Sequence, residues 1–223
     1  MKKIMFFSVL LLFAGLSLMA QTKEESFLDI DYKAMENFAK NHTSEFNALI
    51  NRFNSGDTTL TDMEVAKIYY GSYFSSDYSY EEASEKLREL MSSKSYKAAF
   101  ELCKKELEKS PCSLDLLFKA KYCSYNLGEN NGLYLNQIRM ILGVILSSGD
   151  GRTEETAFKV LAVSDEYCIL YSVFGVDIKK QALIGHCDRM TVYEEKDPDT
   201  LYEIYFDVSL HLSKLSKMFE GLK

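Results

Sequence analysis

Three short runs of the chain hold side chains of the kind that do chemistry. His186-Cys187-Asp188 sets a base beside a thiol, the pairing that a cysteine nucleophile needs. Neighbouring residues of a strand point to opposite faces, so in an extended segment the imidazole and the thiol would not meet; a hairpin corner with one buried cysteine is the better reading. Asp165-Glu166 could be half of a carboxylate pair in which one group gives and the other takes a proton, as in glycoside hydrolysis. The competing reading, which we prefer, is a helix N-terminus, where acidic side chains complement the helix dipole. Gly149-Asp150-Gly151 resembles half of a calcium loop, but the residues after Asp150 do not space oxygen ligands correctly, and a turn fits better.

Other chemistries lack their residues. The three histidines, His42, His186 and His211, are far apart, and neither His-Glu-x-x-His nor Gly-x-Ser-x-Gly occurs, so a zinc or serine hydrolase is not expected. No cofactor or metal is implied. The five cysteines, Cys103, Cys112, Cys123, Cys168 and Cys187, include no Cys-x-x-Cys pair. If any two bridge, Cys103 and Cys123 are the pair that a helical hairpin turning near Pro111 brings level; buried free thiols are the alternative.

The compositional oddity is aromatic. Tyr69, Tyr70, Tyr73, Phe74, Tyr78 and Tyr80 crowd one short stretch, with Tyr122, Tyr125 and Tyr134 on later segments. Rings with polar tips suit a surface for a protein, peptide or glycan, which makes these six the candidate site. Helical spacing suits plain core packing too.

These residues need elements to hold them. From Asp31 to about Val144 the apolar spacing is helical. A first stretch near Tyr32 to Phe53 ends at Gly56-Asp57, and Thr61-Asp62-Met63-Glu64 is a capping box that opens a second helix through Val65, Tyr69 and Tyr73. Tyr96, Ala99, Phe100, Cys103 and Leu107 form one stripe, Pro111 breaks it, and Leu116, Ala120, Cys123 and Leu127 form the next, closed by Gly128. The helix from Leu133 to Leu146 is apolar on most sides and should be central. Beyond Thr156 the period becomes two: Phe158, Val160 and Ala162 on one strand, Ile178, Ala182 and Ile184 together on a second, Met190 and Val192 on a third, Tyr202, Ile204 and Phe206 on a fourth. Asp165 to Phe174 reads as a short helix, Gly185-His186 as an antiparallel hairpin turn, and Val208 to Leu222 as a closing helix over the sheet.

The beginning of the chain carries an address. Met1-Lys2-Lys3, an apolar run from Ile4 to Met19 and the small Ala20 read as a cleaved signal peptide over residues 1–20, followed by a flexible 21–30. The product would be periplasmic or secreted, with no later segment able to span a membrane and no cysteine after the cut for a lipid anchor. Without Lys2 and Lys3 the charge is −9, from 24 basic and 33 acidic residues, which disfavours nucleic acid and anionic membranes as partners.

The segment from Tyr80 to Gly128 resembles a tetratricopeptide unit over about 50 residues, with Ala99 and Pro111 at that repeat's small-residue and proline positions and Gly128 where the next repeat would place its inter-helix glycine. The Gly-Asp-Thr-Thr-Leu turn at 56–60, the Tyr-Tyr-Gly-x-x-Phe run from Tyr69, and Ala-Phe-x-Val-x-x-Val-Ser-Asp-Glu-Tyr at 157–167 resemble domain-of-unknown-function family 4919, secreted proteins of Bacteroides-type bacteria. That resemblance spans nearly the whole mature chain and implies an envelope or secreted location, with no activity to carry over. The expected fold is α+β: a helical, tetratricopeptide-like part over 31–150, continuous with an antiparallel sheet and last helix over 151–223. The expected function is a non-enzymatic binding or assembly module of the bacterial envelope. The alternative is an acid/base hydrolase acting on glycan or peptidoglycan through Asp165, Glu166 and a third residue that the sequence does not identify.

Overall fold

The computed structural model describes residues 27–75 and 85–220, with backbone alone for 214, 215 and 217–220. The signal-peptide segment, most of the flexible 21–30, and Tyr78 and Tyr80 lie outside the described residues. Among the described residues seven helices come first: α1 (Tyr32–Asn41), α2 (Thr43–Asn54), α3 (Asp62–Ser72), α4 (Glu85–Ser92), α5 (Tyr96–Leu107), α6 (Leu114–Asn126) and α7 (Gly132–Ser147). Then come β1 (Phe158–Lys159), α8 (Val163–Tyr167), which runs on as a π-helical turn (Cys168–Phe174), β2 (Asp177–Ile184), β3 (Cys187–Glu194), β4 (Asp197–Asp207) and α9 (Ser209–Glu220). The protein is therefore α+β, with N-terminal helices packed against a C-terminal sheet and a helix at the end.

Local chemistry explains the boundaries. The helical stretch expected from Tyr32 to Phe53 is two helices, because His42 leaves the helical region at φ −120° and ψ 43°. Asp31 caps α1 by accepting from the backbone of Lys33 and Ala34. Thr61 and Glu64 form the expected reciprocal capping box on α3. Arg52 then fastens this turn: its Nε donates to Asp57 at 2.8 Å and its Nη1 to Glu64 at 2.8 Å. The Thr59 hydroxyl and backbone, together with Arg52, hold the Asp57 carboxyl down at about 2.

The sheet order is β1-β4-β3-β2. β2, β3 and β4 are antiparallel, and Gly185-His186 forms the two-residue turn between Ile184 and Cys187. The first strand is only two residues long and runs parallel to β4, with Phe158 opposite Phe206. Lys179 is an extra residue in β2, between the Ile178–Val192 and Lys180–Thr191 pairs. A bulge reverses the in/out phase of the residues beyond it, so Ile178 lies on the face of Val192 and Met190, whereas Ala182 and Ile184 lie on the other. The expectation that all three share a face fails for that reason.

One core runs through both halves. Phe53, Val65, Ile68 and Tyr69 from the helices pack with Met190, Val192 and Phe206 from the sheet. A second, smaller core lies inside the α4–α5–α6 group: Leu87, Ala99, Phe100, Cys103, Leu116, Ala120 and Cys123. Cys103 and Cys123 are both buried there as thiols, and none of the five cysteines is bridged, so the expected candidate disulfide is not formed.

Two glycines with similar backbones should respond differently to a methyl group. Gly151 has φ +69°, and an added Cβ would lie 2.4 Å from the Phe158 ring, whereas Gly128 at φ +72° has nothing within 4 Å. Gly128→Ala should cost about 1 kcal/mol, the left-handed penalty alone. Gly151→Ala should cost about 2–4 kcal/mol because overpacking adds to it. Thermal unfolding of the two variants side by side measures the difference; equal losses would mean that Phe158 swings aside freely.

Candidate functional site

The acidic pair foreseen on a helix N-terminus is there, in the first turn of α8, but it is buried. Asp165 is 3% exposed and Glu166 is fully enclosed. Tyr69 on α3 reaches across to Asp165, its hydroxyl donating to Oδ2 at 2.7 Å while accepting from the Leu161 backbone N–H at 3.0 Å. On the other side stands Asp188 of β3, buried at 6% exposure, whose Oδ2 accepts from Gln181 Nε2 at 2.8 Å; Gln181 Oε1 accepts in turn from the Tyr167 hydroxyl at 2.9 Å. Both carboxyl oxygens of Glu166 lack a protein partner. Burial pushes Asp165 up to about 7, against the favourable bond from Tyr69. It pushes Glu166 up to about 9, with the charges of Asp188 and Asp165 acting in the same direction. A carboxyl so placed is neutral at pH 7 and reaches no solvent-borne substrate in this conformation.

Asp188 is a further buried acid near the pair, singled out in the sequence only as the neighbour of His186 and Cys187. The signal was present: with Met190 and Val192 inward at period two, Asp188 falls on the same face. His186, Cys187 and Asp188 are not brought together. His186 is exposed at the turn; Cys187 is buried on the face opposite Asp188, its thiol donating to the Glu154 carbonyl at 3.7 Å. Burial raises the Cys187 thiol to about 11, the reverse of what a nucleophile requires.

The aromatic run divides. Tyr69 and Tyr70 have no exposed surface and stack edge to face at 4.8 Å, with the Tyr70 hydroxyl donating to the Lys159 carbonyl at 3.0 Å. They are core residues, because α3 is covered on almost every side, and they drop out of any partner-facing surface. Tyr73 and Phe74 are half-buried and pack on the main core. Among the described residues the aromatic side chains that do face outward are Phe27, Tyr122, Tyr125, Tyr171 and Tyr202, at 37%, 49%, 72%, 51% and 48% exposure.

An open cleft lies instead at the seam between the two cores. It measures about 170 Å³ and is walled by Leu107 and Lys104 of α5, Pro111, Leu117 of α6, and Leu133 and Tyr134 of α7, with Asn54 and Glu108 at the rim. Leu107 and Tyr134 touch both cores. Gln137 lines the cleft from α7 at 5% exposure; its Nε2 donates to the Phe53 carbonyl at 3.2 Å, while its Oε1 is buried and accepts from nothing. Among the described residues no group of three or more His, Cys, Asp or Glu side chains could hold a metal ion, and no helix is long and apolar enough to cross a membrane.

An α+β protein whose N-terminal helices pack against a small mixed sheet, with an open cleft in the helices and buried acids at the join, is the class of protein that these observations define. Residues 33–217 match the domain of unknown function DUF4919, and the chain belongs to that family. No curated protein and no solved structure matches it.

The buried acids set a pH dependence. Between about 4.5 and 9 the unfolded chain releases the Glu166 proton while the folded chain keeps it, so the unfolded state binds fewer protons and stability falls as pH rises. Replacing the side chain by its neutral isostere removes that slope. Glu166→Gln should leave stability near pH 4 unchanged and raise it by about 3 kcal/mol at pH 7. Chemical denaturation across pH 4 to 9 tests this; parallel curves for the two proteins would show that Glu166 is not the group responsible.

Proposed function

We propose that this protein is a non-enzymatic binding or assembly module of the bacterial envelope, exported by its leader, which takes a protein, peptide or glycan partner on the open side of the α5–α6–α7 helices. The observation that supports this most is the contrast between the two candidate places. The carboxylates able to do acid/base work are closed off from solvent, whereas the helical cleft is open and holds a buried acceptor with nothing to accept. Packed helices that leave a groove recognise partners by shape and a few placed polar groups, and need no reactive side chain.

The hydrolase reading draws its support from Glu166 lying near Asp188, an acid kept protonated beside a second carboxyl. It is the lesser reading, since both groups would have to be uncovered before a glycan reached them. Turnover of peptidoglycan that is lost in Glu166→Gln would bring it forward.

Photocrosslinking in the producing cell tests the binding reading. A photoreactive residue at Leu133 or Tyr122, both exposed, should give a discrete adduct, whereas one at Lys180 on the outer strand of the sheet should not. The same adducts from all three positions, or none from the helices, would remove the helical face as the binding surface.

A further inference from the structure

The acids at the join of helices and sheet are enclosed by two sides of unequal strength. On the inner side Asp165 is held deep in the core, where the Tyr69 hydroxyl donates to it and accepts from the Leu161 backbone. On the outer side stands a chain of side chains. The Tyr167 hydroxyl donates to Gln181 Oε1 at 2.9 Å, and Gln181 Nε2 donates to Asp188 Oδ2 at 2.8 Å. The chain thus runs from Tyr167, next in sequence to Glu166, to Asp188, the buried acid near it, and ties α8 to β2 and β3. Its middle member, Gln181, is exposed and belongs to the edge strand of the sheet, just past the bulge at Lys179.

Glu166 lies behind that chain with no exposed surface, and neither of its carboxyl oxygens has a partner. The titratable groups around it come from each neighbouring element. Its own stretch supplies Asp165, Tyr167 and Cys168, β3 supplies Asp188, and α3 supplies Tyr69, which is committed to Asp165. Helix α6, packed on α8, supplies Asp115 and Lys119, which pair with each other. Lys180 and Arg189 lie on the opposite face of the sheet from Gln181 and Asp188.

A neutral carboxyl is tolerated in such a place. A further negative charge beside Asp165 and Asp188, with no donor to receive it, is not. Either the proton stays or water must reach the carboxylate. The turn that follows is anchored, with Ile169 and Leu170 fully buried in the main core, so the movable cover is the chain at the surface.

We propose that Tyr167, Gln181 and Asp188 form a proton-controlled gate over Glu166, closed while Glu166 is protonated and open to solvent once that proton is lost, with the rest of the fold in place. The gate is independent of the helical cleft and of any partner held there. The change that it makes is confined to side chains at the edge of the sheet, unlike the loss of global stability with pH.

Carbon-detected NMR of the carboxyl and carboxamide carbons, from about pH 4 to about pH 10, reads each member without relying on exchangeable protons, and a neutral gadolinium chelate in the solvent reads which of them can be approached. Glu166 Cδ should titrate near the value of about 9 that burial and the two neighbouring acids impose. Gln181 Cδ and Asp188 Cγ should show a step at that same midpoint. Relaxation of Glu166 Cδ by the chelate should rise severalfold across it, while the signals of Met190 and Phe206, both fully buried, stay unchanged. In Glu166→Gln the step at Gln181 and Asp188 should vanish. Gln181→Ala, a change at an exposed position, removes the middle of the chain and should lower the Glu166 midpoint by about one pH unit or more, a roughly tenfold weaker hold on the proton.

A Glu166 midpoint near the ordinary 4.5 in the native protein overturns the proposal. A raised midpoint that leaves Gln181, Asp188 and the chelate effect unmoved does so too, since the proton would then leave without any opening. An unshifted midpoint in Gln181→Ala removes the chain as the cover. Loss of the Met190 and Phe206 signals at the same pH would mean that the whole fold opens, and no gate exists.

Discussion

Tyr69 carries the join between the helical and sheet halves. Its hydroxyl serves at once as donor to Asp165 and acceptor from the Leu161 backbone, deep in a core where an unpaired polar group would be costly. That pair of hydrogen bonds fixes where α3 lies relative to the chain entering α8, and hence where the turn of Cys168–Phe174 and the strands beyond it begin. Tyr70, next in sequence, makes the second tie by donating to the Lys159 carbonyl beside β1. Two adjacent tyrosines on the buried side of α3 thus do for this fold what a longer sheet interface does elsewhere.

This constraint also explains why the aromatic run reads as a surface in the sequence and is half core in the fold. Tyrosine on a half-exposed helix face and tyrosine reaching a buried carboxyl have the same spacing, and nothing in residues 69–74 separates the two. Much else was legible. The Thr61–Glu64 capping box, the Tyr96 and Leu116 stripes, the Gly185-His186 turn and the alternation through Met190, Val192, Ile204 and Phe206 each depend on local pattern, and each holds in the structure. The break at His42 carried no proline or glycine to announce it. The bulge at Lys179 was hidden because a single inserted residue changes the phase of β2 without changing its composition. The two-residue β1 owes its pairing to β4 alone, a contact between positions about fifty residues apart.

Of the candidate sites, the acidic pair was found by residue type and its surroundings were not. Asp165-Glu166 can be seen in the sequence, but their surroundings come from elsewhere in the chain: Tyr69 of α3 on one side, and on the other Asp188 of β3, which Gln181 of β2 ties back to Tyr167 of α8. Gln137 could not have been chosen in advance, since a single glutamine on an apolar helix looks the same whether its carbonyl oxygen is satisfied or left over.

Leu107 and Tyr134 are the side chains that touch both hydrophobic clusters among the described residues. Helix α6 joins the two clusters more firmly: Leu114 and Leu117 are buried in the main core while Leu116, Ala120 and Cys123, on the same helix, are buried in the smaller one. Parting the two would uncover α6 on one side, so the helix works as a shared beam, and amide protons of α4, whose buried Leu87 belongs to the smaller cluster, should exchange at a lower free energy than those of α6, α3 or β3.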